Sequence, residues 1–432
     1  MTDIYEIAEY TLKALKDCGA DAAQCIVGRS KKDELNVDGG KFSLMRSTFN
    51  TSISMKAIKD GKKGVTSINQ ATKEAIDEAA AQCIAAAESS VPDEAEQIAP
   101  FTAKAEYKTG VFEPDLDKLF DRIEEFMSQT KKEYPKIILE QLISDYEHSE
   151  KLYMNTNGTS LRYEHGEYSF NTMFSAHEGE KASSFNGYFC ALDNLDKPFM
   201  DAGMQRQLLE ESEKQLDTVS PSEKFVGKVI YSPDCFNELL QTALENFASS
   251  GVLIDGTSPW KDALNTKVAS EKLNLRSVPL DGRTVVGQRF TCDGYPAENM
   301  DIIVDGVLKT FILSQYGANK TGFPRALNGG NNLEVLHGDK TLEEMIAGID
   351  KGLIVNRFSG GQPSSNGDFS GVAKNSFLIE NGKVSSAVSE TMISGNIIDM
   401  LNNIVAISKE QTTDGLSFMP WAEFDGVTVS GK

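Results

Sequence analysis

The apolar positions of this chain follow two rhythms. Where they recur every three or four residues they predict helices, and where they alternate or cluster between turn dipeptides they predict strands. Residues 4–16 align Ile4, Ile7, Ala8, Thr11, Leu12 and Leu15 on one side. Residues 72–88 do the same with Ile76, Ala80, Cys83, Ile84 and Ala87, and residues 115–130 with Leu116, Leu119, Phe120, Ile123, Phe126 and Met127. Residues 203–216 predict a polar helix. The best-signalled helix is 232–251. Ser232 suits its N-cap, Pro233 its first position, Asp234 its first turn and Gly251 its end. Phe236, Leu239, Leu240, Ala243, Leu244 and Phe247 form its apolar stripe. Asn237, Glu238, Gln241, Thr242, Glu245 and Asn246 occupy the other face.

Short strands are expected around Asp38-Gly39-Gly40 and Asp60-Gly61, with Ile53, Met55 and Ala57 alternating between polar neighbours. Further strands are expected at 137–147, 151–155, 160–177 and 183–190, with a turn at Asn157-Gly158. Residues 89–112, with Pro92 and Pro100, predict a linker, and 218–223 a second boundary. Beyond the helix at 232–251, Asp281-Gly282, Asp293-Gly294, Asp305-Gly306, Asn381-Gly382 and Asp425-Gly426 read as hairpin turns. One helix interrupts them at 341–351, opened by a Thr341–Glu344 capping box and closed by Gly352. The chain of 432 residues is too long for one core. The pattern predicts an α+β protein. Two small N-terminal α+β units (1–90 and 110–218) precede a larger C-terminal domain (224–432) of packed antiparallel β-sheets with few helices.

Charge narrows the function. With 64 acidic against 43 basic residues the net charge is −21, which repels phosphate backbones and argues against nucleic-acid binding. No 18-residue apolar run predicts a membrane span, and the acidic N-terminal helix is unlike a signal peptide. The six cysteines are scattered without a CxxC pair, as expected of reduced, buried thiols in a soluble cytoplasmic protein.

The usual catalytic signatures are missing. The four histidines include no i, i+4 pair, and the His177-Glu178 dipeptide is not followed by a second histidine. No G-x-S-x-G elbow, P-loop or G-x-G-x-x-G occurs. What remains is a Gly/Asn-rich region at 322–396 carrying Asn328, Asn331, Asn332, Asn366, Asp368, Glu380, Asn381 and Asn396. Such amides suit a groove for polypeptide backbone, while the glycines equally suit tight turns. Both readings stay open on composition alone.

Within this region the run GLIVNRFSGGQPSSNGDFSGVAKNSFLIENGKVSSAVSETMISGN, residues 352–396, resembles the C-terminal domain of the TldD/PmbA family, also known as modulators of DNA gyrase. The pieces GLIV, NGDFSG, FLIENG, VSE and SGN follow in family order, with IIDMLNNIVAIS after them. ANKTGFPRALNGGNNLEV, TLEEMIAGIDKG and the N-terminal DGKKGVTS fit as well, so the resemblance spans nearly the whole chain. Lys374-Asn375 depart from it, since smaller residues are expected before Phe377.

The resemblance implies one of two branches. TldD-like members resemble zinc peptidases with a His-Glu-x-x-x-His helix, and PmbA (TldE)-like members lack that motif and pair with a TldD-like subunit. In ELLQTALENF, Gln241, Thr242 and Asn246 stand where His, Glu and His would be, and residues 358–369 lack the cysteine of the TldD-like branch. The PmbA/TldE branch is therefore expected. The resemblance implies a cytoplasmic peptidase subunit without metal or catalytic residues of its own, zinc being expected on the TldD-like partner. A homodimer is the alternative assembly, and the substrate would be a peptide or unfolded polypeptide. Arg325, Asn328, Asn366, Asp368, Glu380 and Asn381 are the candidate substrate-binding residues. Two other functions stay open: a metal-independent hydrolase using Asp368 or Glu380, and a non-enzymatic protein that binds DNA gyrase.

Overall fold

The computed structural model describes residues 3–221, 223–361 and 363–431; Met1, Thr2, Ser222, Gln362 and Lys432 lie outside them. Helix α1 (Ile4–Asp17) opens on Asp3, whose carboxylate accepts from the Glu6 N–H. Strands β1 (Ala22–Asp38), β2 (Lys41–Lys59) and β3 (Lys62–Ile68) then run as an antiparallel meander. Its turns use Gly39-Gly40 and Asp60-Gly61, all at positive φ. Helix α2 (Lys73–Ser89) follows, capped by Thr72.

The expected linker at 89–112 contains a strand, β4 (Lys104–Gly110), which the two prolines before it had concealed. After helix α3 (Leu116–Glu133), the short strands expected near 137–155 and 160–177 are two long ones, β5 (Ile137–Asn155) and β6 (Ser160–Glu178). β1 pairs with β5 along Gln24–Asp38, and β6 holds both β4 and the strand Asn186–Leu192 on its far side. Among the described residues one eight-stranded sheet therefore carries strands from both N-terminal segments. One face of it is apolar at its two ends. Cys25, Val27, Ile53 and Leu152 pack under α1 and α2, and Leu35, Val37, Leu142, Phe170 and Phe174 pack under α3. Helix α4 (Gln205–Lys214) then leads into the C-terminal domain.

That domain is built on the long strand Phe418–Ser430, which pairs antiparallel with Phe225–Tyr231. Its hairpins at Asp305-Gly306 and Asn381-Gly382 form as expected, with both residues of each turn at positive φ. Asp425-Gly426 instead makes a bulge inside Phe418–Ser430, where the register to Gly227 and Val229 shifts. Asp281-Gly282 lies in a loop. The capping box of Thr341 and Glu344 forms, but the helix ends at Ala347 with Gly348 as its cap, and Lys351–Val355 is a strand. Four cysteines are buried and Cys18 is half-buried, whereas Cys292 is exposed.

Helix α5 (Pro233–Ala248) packs on this sheet. The Ser232 hydroxyl accepts from the Cys235 N–H and donates to the Asn356 carbonyl. The helix stops at Ala248, three residues before the expected glycine, and Ser250–Ile254 forms a separate turn. Its stripe is fully buried, with Phe236 against Phe424 (5.7 Å between centroids) and Phe247 against Trp260 (5.1 Å). Each large side chain buried there stabilises by roughly 1.5–3 kcal/mol, which fixes the rotation of the helix and so the direction of its polar face.

Candidate functional site

The polar face of α5 borders a groove of about 650 Å³. α5 contributes Asp234, Asn237, Glu238 and Gln241 to it. The opposite wall is the sheet edge, with Gln141 on β5, Asn171 and Met173 on β6, and Phe185–Phe189. Arg357 and Asp414 close it from the C-terminal domain. Asn171 pairs with Phe189, and Met173 with Gly187, so successive amide and apolar side chains share one face of this edge. Phe185 and Phe189 remain exposed. The Phe185 carbonyl is gripped by two donors, the Arg357 Nη1 (2.9 Å) and the Asn375 Nδ2 (3.0 Å). Asn375 reaches it from a left-handed backbone conformation (φ +50°), which accounts for an asparagine where a smaller residue was expected.

The groove is acidic. Asp234 and Glu238 are one helical turn apart, and neither carboxylate makes a hydrogen bond or ion pair among the described residues. Both are open to groove water yet enclosed by protein walls. That enclosure, with the nearby Asp414, pushes the Asp234 carboxyl up to about 6. Burial also raises Glu238, with the Arg357 guanidinium opposing. Behind α5, the Glu211 carboxylate accepts from Gln207 (2.8 Å) and from Asn356 Nδ2 (2.7 Å), and burial pushes it up to about 7. Gln241 Nε2 donates to Asn237 Oδ1 at 3.4 Å, and the Thr242 hydroxyl donates back to the Glu238 carbonyl at 2.8 Å. Asn246 is half-buried at the far end.

The six residues expected from the sequence do not converge. Asn366 and Asp368 are together: the Asp368 carboxylate accepts from Asn366 Nδ2 and Asn396 Nδ2, both at 2.9 Å, which holds it below the usual range. This knot abuts α5, because a Cβ on Gly367 (φ +92°) would stand 3.0 Å from Phe247. Arg325 and Asn328 line a separate trough of about 730 Å³ between the sheet and the C-terminal domain. There Arg325 stacks on Tyr295 at 3.8 Å, and Glu96 pairs with both Lys56 and Lys63. Asn328 is buried and spent internally, accepting from Ser277 Oγ (2.9 Å) and the Gly330 N–H (2.7 Å) and donating to the Glu298 carbonyl (2.8 Å). Glu380 and Asn381 sit at a hairpin end, where the Asn381 N–H donates to the Asp350 carbonyl.

Asp234, Glu238, Asn171, Phe185, Phe189, Arg357 and Asp414 were not among the expected residues. The i, i+4 spacing of Asp234 and Glu238, continued by Gln241 and Thr242 without a lysine or arginine partner on the helix, was the available signal. The residues of the opposite wall carried none.

Comparisons with known proteins agree with this architecture. The model of the PmbA/TldA metallopeptidase C-terminal domain matches residues 224–431, and that of PmbA/TldA metallopeptidase domain 1 matches residues 23–87, together more than half of the chain. Metalloprotease PmbA of Escherichia coli O157:H7 is 30% identical over 155 residues, 35% of this chain and 34% of the relative. The zinc metalloprotease TldD homolog of Saccharolobus solfataricus is 29% identical over 195 residues, 42% of this chain and 44% of the relative. The alignments thus span well under half the length of these relatives. The crystal structure of TldE from Thermococcus kodakarensis superposes with a TM-score of 0.84 over 98% of this chain and 100% of that one, at 23% identity, which shows a shared fold.

Proposed function

The chain belongs to the PmbA/TldD metallopeptidase family, and from that premise we propose that it is a PmbA/TldE-like subunit of a cytoplasmic TldD/TldE-type peptidase, handling substrate beside a TldD-like partner that carries zinc. The observation behind this reading is the polar face of α5. By register with the His-Glu-x-x-x-His helix, Gln241 and Asn246 stand at the two histidine positions that would hold zinc and Thr242 at that of the glutamate, the general base. Two neutral amides do not fit zinc, which takes imidazole, thiolate or carboxylate, and a hydroxyl already bonded to its own helix does not serve as a general base. Among the described residues no three His, Cys, Asp or Glu side chains gather as a ligand set. No metal step is assigned to this chain.

Its residues bind and orient. Asn171, Asn237 and Gln241 can exchange hydrogen bonds with both N–H and C=O groups of an extended peptide. Asp234, Glu238 and Asp414 give the groove a negative potential. Asn366 and Asp368 brace α5 from behind, and Arg325, Asn328, Glu380 and Asn381 belong to the scaffold. Peptides or unfolded segments are the substrate class.

The purified chain is expected to hold no stoichiometric zinc and to cleave no unstructured polypeptide. Adding a TldD-like partner is expected to give cleavage that chelators abolish and that Gln241→Trp, which fills the groove, lowers. Chelator-sensitive cleavage by the lone chain would overturn the proposal.

A further inference from the structure

Glu238 lines a second cavity besides the groove. A small, mainly apolar pocket of about 70 Å³ adjoins the same turn of α5. Tyr231, Cys235, Leu239, Phe358, Phe369 and Ile397 wall it, and Thr242 stands at its rim with Glu238. The aromatic walls are set by glycines. Phe358 meets Phe369 edge-on at 5.7 Å, and a Cβ on Gly371 would stand 2.3 Å from the Phe358 ring. The glycine density of this region therefore shapes a cavity as well as its turns.

We infer that this pocket takes one branched aliphatic side chain (leucine, isoleucine or valine) of a polypeptide lying along α5, and so selects the residue held beside Thr242. This rests on the groove reading above. Size, wall chemistry and continuity carry it. A cavity of about 150 Å³ takes a benzene ring and one of about 10–15 Å³ a water, so about 70 Å³ suits a side chain between the two in size. The walls are mainly apolar, with Glu238 and Thr242 among them, and they disfavour carboxylate and amide groups, which would lose much of their water. Glu238 forms part of both cavities, so a side chain leaving a backbone in the groove passes its rim.

The test uses fluorescein-labelled Ala-Ala-X-Ala-Ala-Ala peptides with X as leucine, alanine, phenylalanine or aspartate. They are titrated by fluorescence polarisation into the full chain and into its complex with a TldD-like partner. The leucine probe is expected to bind about ten-fold tighter than the alanine probe, from the extra buried carbons. Phenylalanine and aspartate should gain nothing over alanine. Thr242→Phe, which plugs the rim, should bring the leucine-to-alanine ratio to about one. Leu239→Ala, which widens the floor, should move the preference toward phenylalanine, and it decides the matter if Thr242→Phe fails to fold. Equal binding of all four probes overturns the pocket and leaves the groove standing. Binding of none, to chain or complex, overturns both.

Discussion

Two clefts run between the N-terminal sheet and the C-terminal domain, and they treat charge in opposite ways. In the trough, charge is neutralised: Glu96 holds two lysines, Arg325 lies on Tyr295, and Asn328 uses both ends of its amide on neighbouring loops. In the groove along α5, the Asp234 and Glu238 carboxylates face solvent without an ion-pair partner among the described residues, and Asp414 adds to the same charge. Size does not separate the two, since the trough is the larger. What separates them is whether polar groups have already found partners within the chain. Satisfied groups hold a structure together, and unsatisfied groups beside an open cleft are free for a ligand.

The contrast can be broken by substitution. The largest effect is expected from Asn328→Ala in the trough, which strands the Glu298 carbonyl and the Gly330 N–H. A loss of about 2–3 kcal/mol in denaturant unfolding is expected, with peptide binding per folded molecule unchanged. In the groove the sign reverses. Asp234 carries a carboxyl raised to about 6, so its ionisation costs stability as pH rises from about 4 through about 6. Asp234→Asn should therefore match the parent near pH 4 and exceed it above pH 6, while binding lysine-containing peptides more weakly. The gain in thermal or denaturant unfolding should be about 1 kcal/mol, because exposure screens the charge and the helix N-terminus favours it. The smallest effect belongs to Arg325→Ala, about 0.5–1 kcal/mol of stability from the lost contact with Tyr295 and no change in peptide affinity. A groove substitution that destabilised like Asn328→Ala, or a trough substitution that abolished peptide binding, would erase the distinction.

Much of the fold was legible because local rules decided it. Ser232 and Pro233, the Thr341–Glu344 box and the Asp305-Gly306 turn each specify their geometry within four residues. The misses are non-local. β4 alternates Ala105, Tyr107 and Thr109 with Lys104, Glu106 and Lys108, but the run is short and follows two prolines, and what orders it is parallel pairing with β6. Asp425-Gly426 looks like a hairpin turn until the strands around it fix a bulge. The site was half legible. The α5 wall could be read from periodicity, whereas Phe185, Arg357 and Asp414 meet it only through tertiary packing. Asn328 shows how amide-rich composition misleads: its donors and acceptors are consumed by turns, a fact visible only in the hydrogen bonds.

The pairing of β1 with β5 has a consequence for how the chain holds together when it is cut. The segment before β4 is the only covalent tie between α2 and the strands that follow. The sheet crosses the same boundary through the whole Gln24–Asp38 ladder. A nick between residues 90 and 103 would divide the backbone but not the hydrogen-bonded surface, so the two fragments should remain one particle and be able to complement each other when produced separately. The N-terminal half is in this sense a single cooperative body made from two lengths of chain.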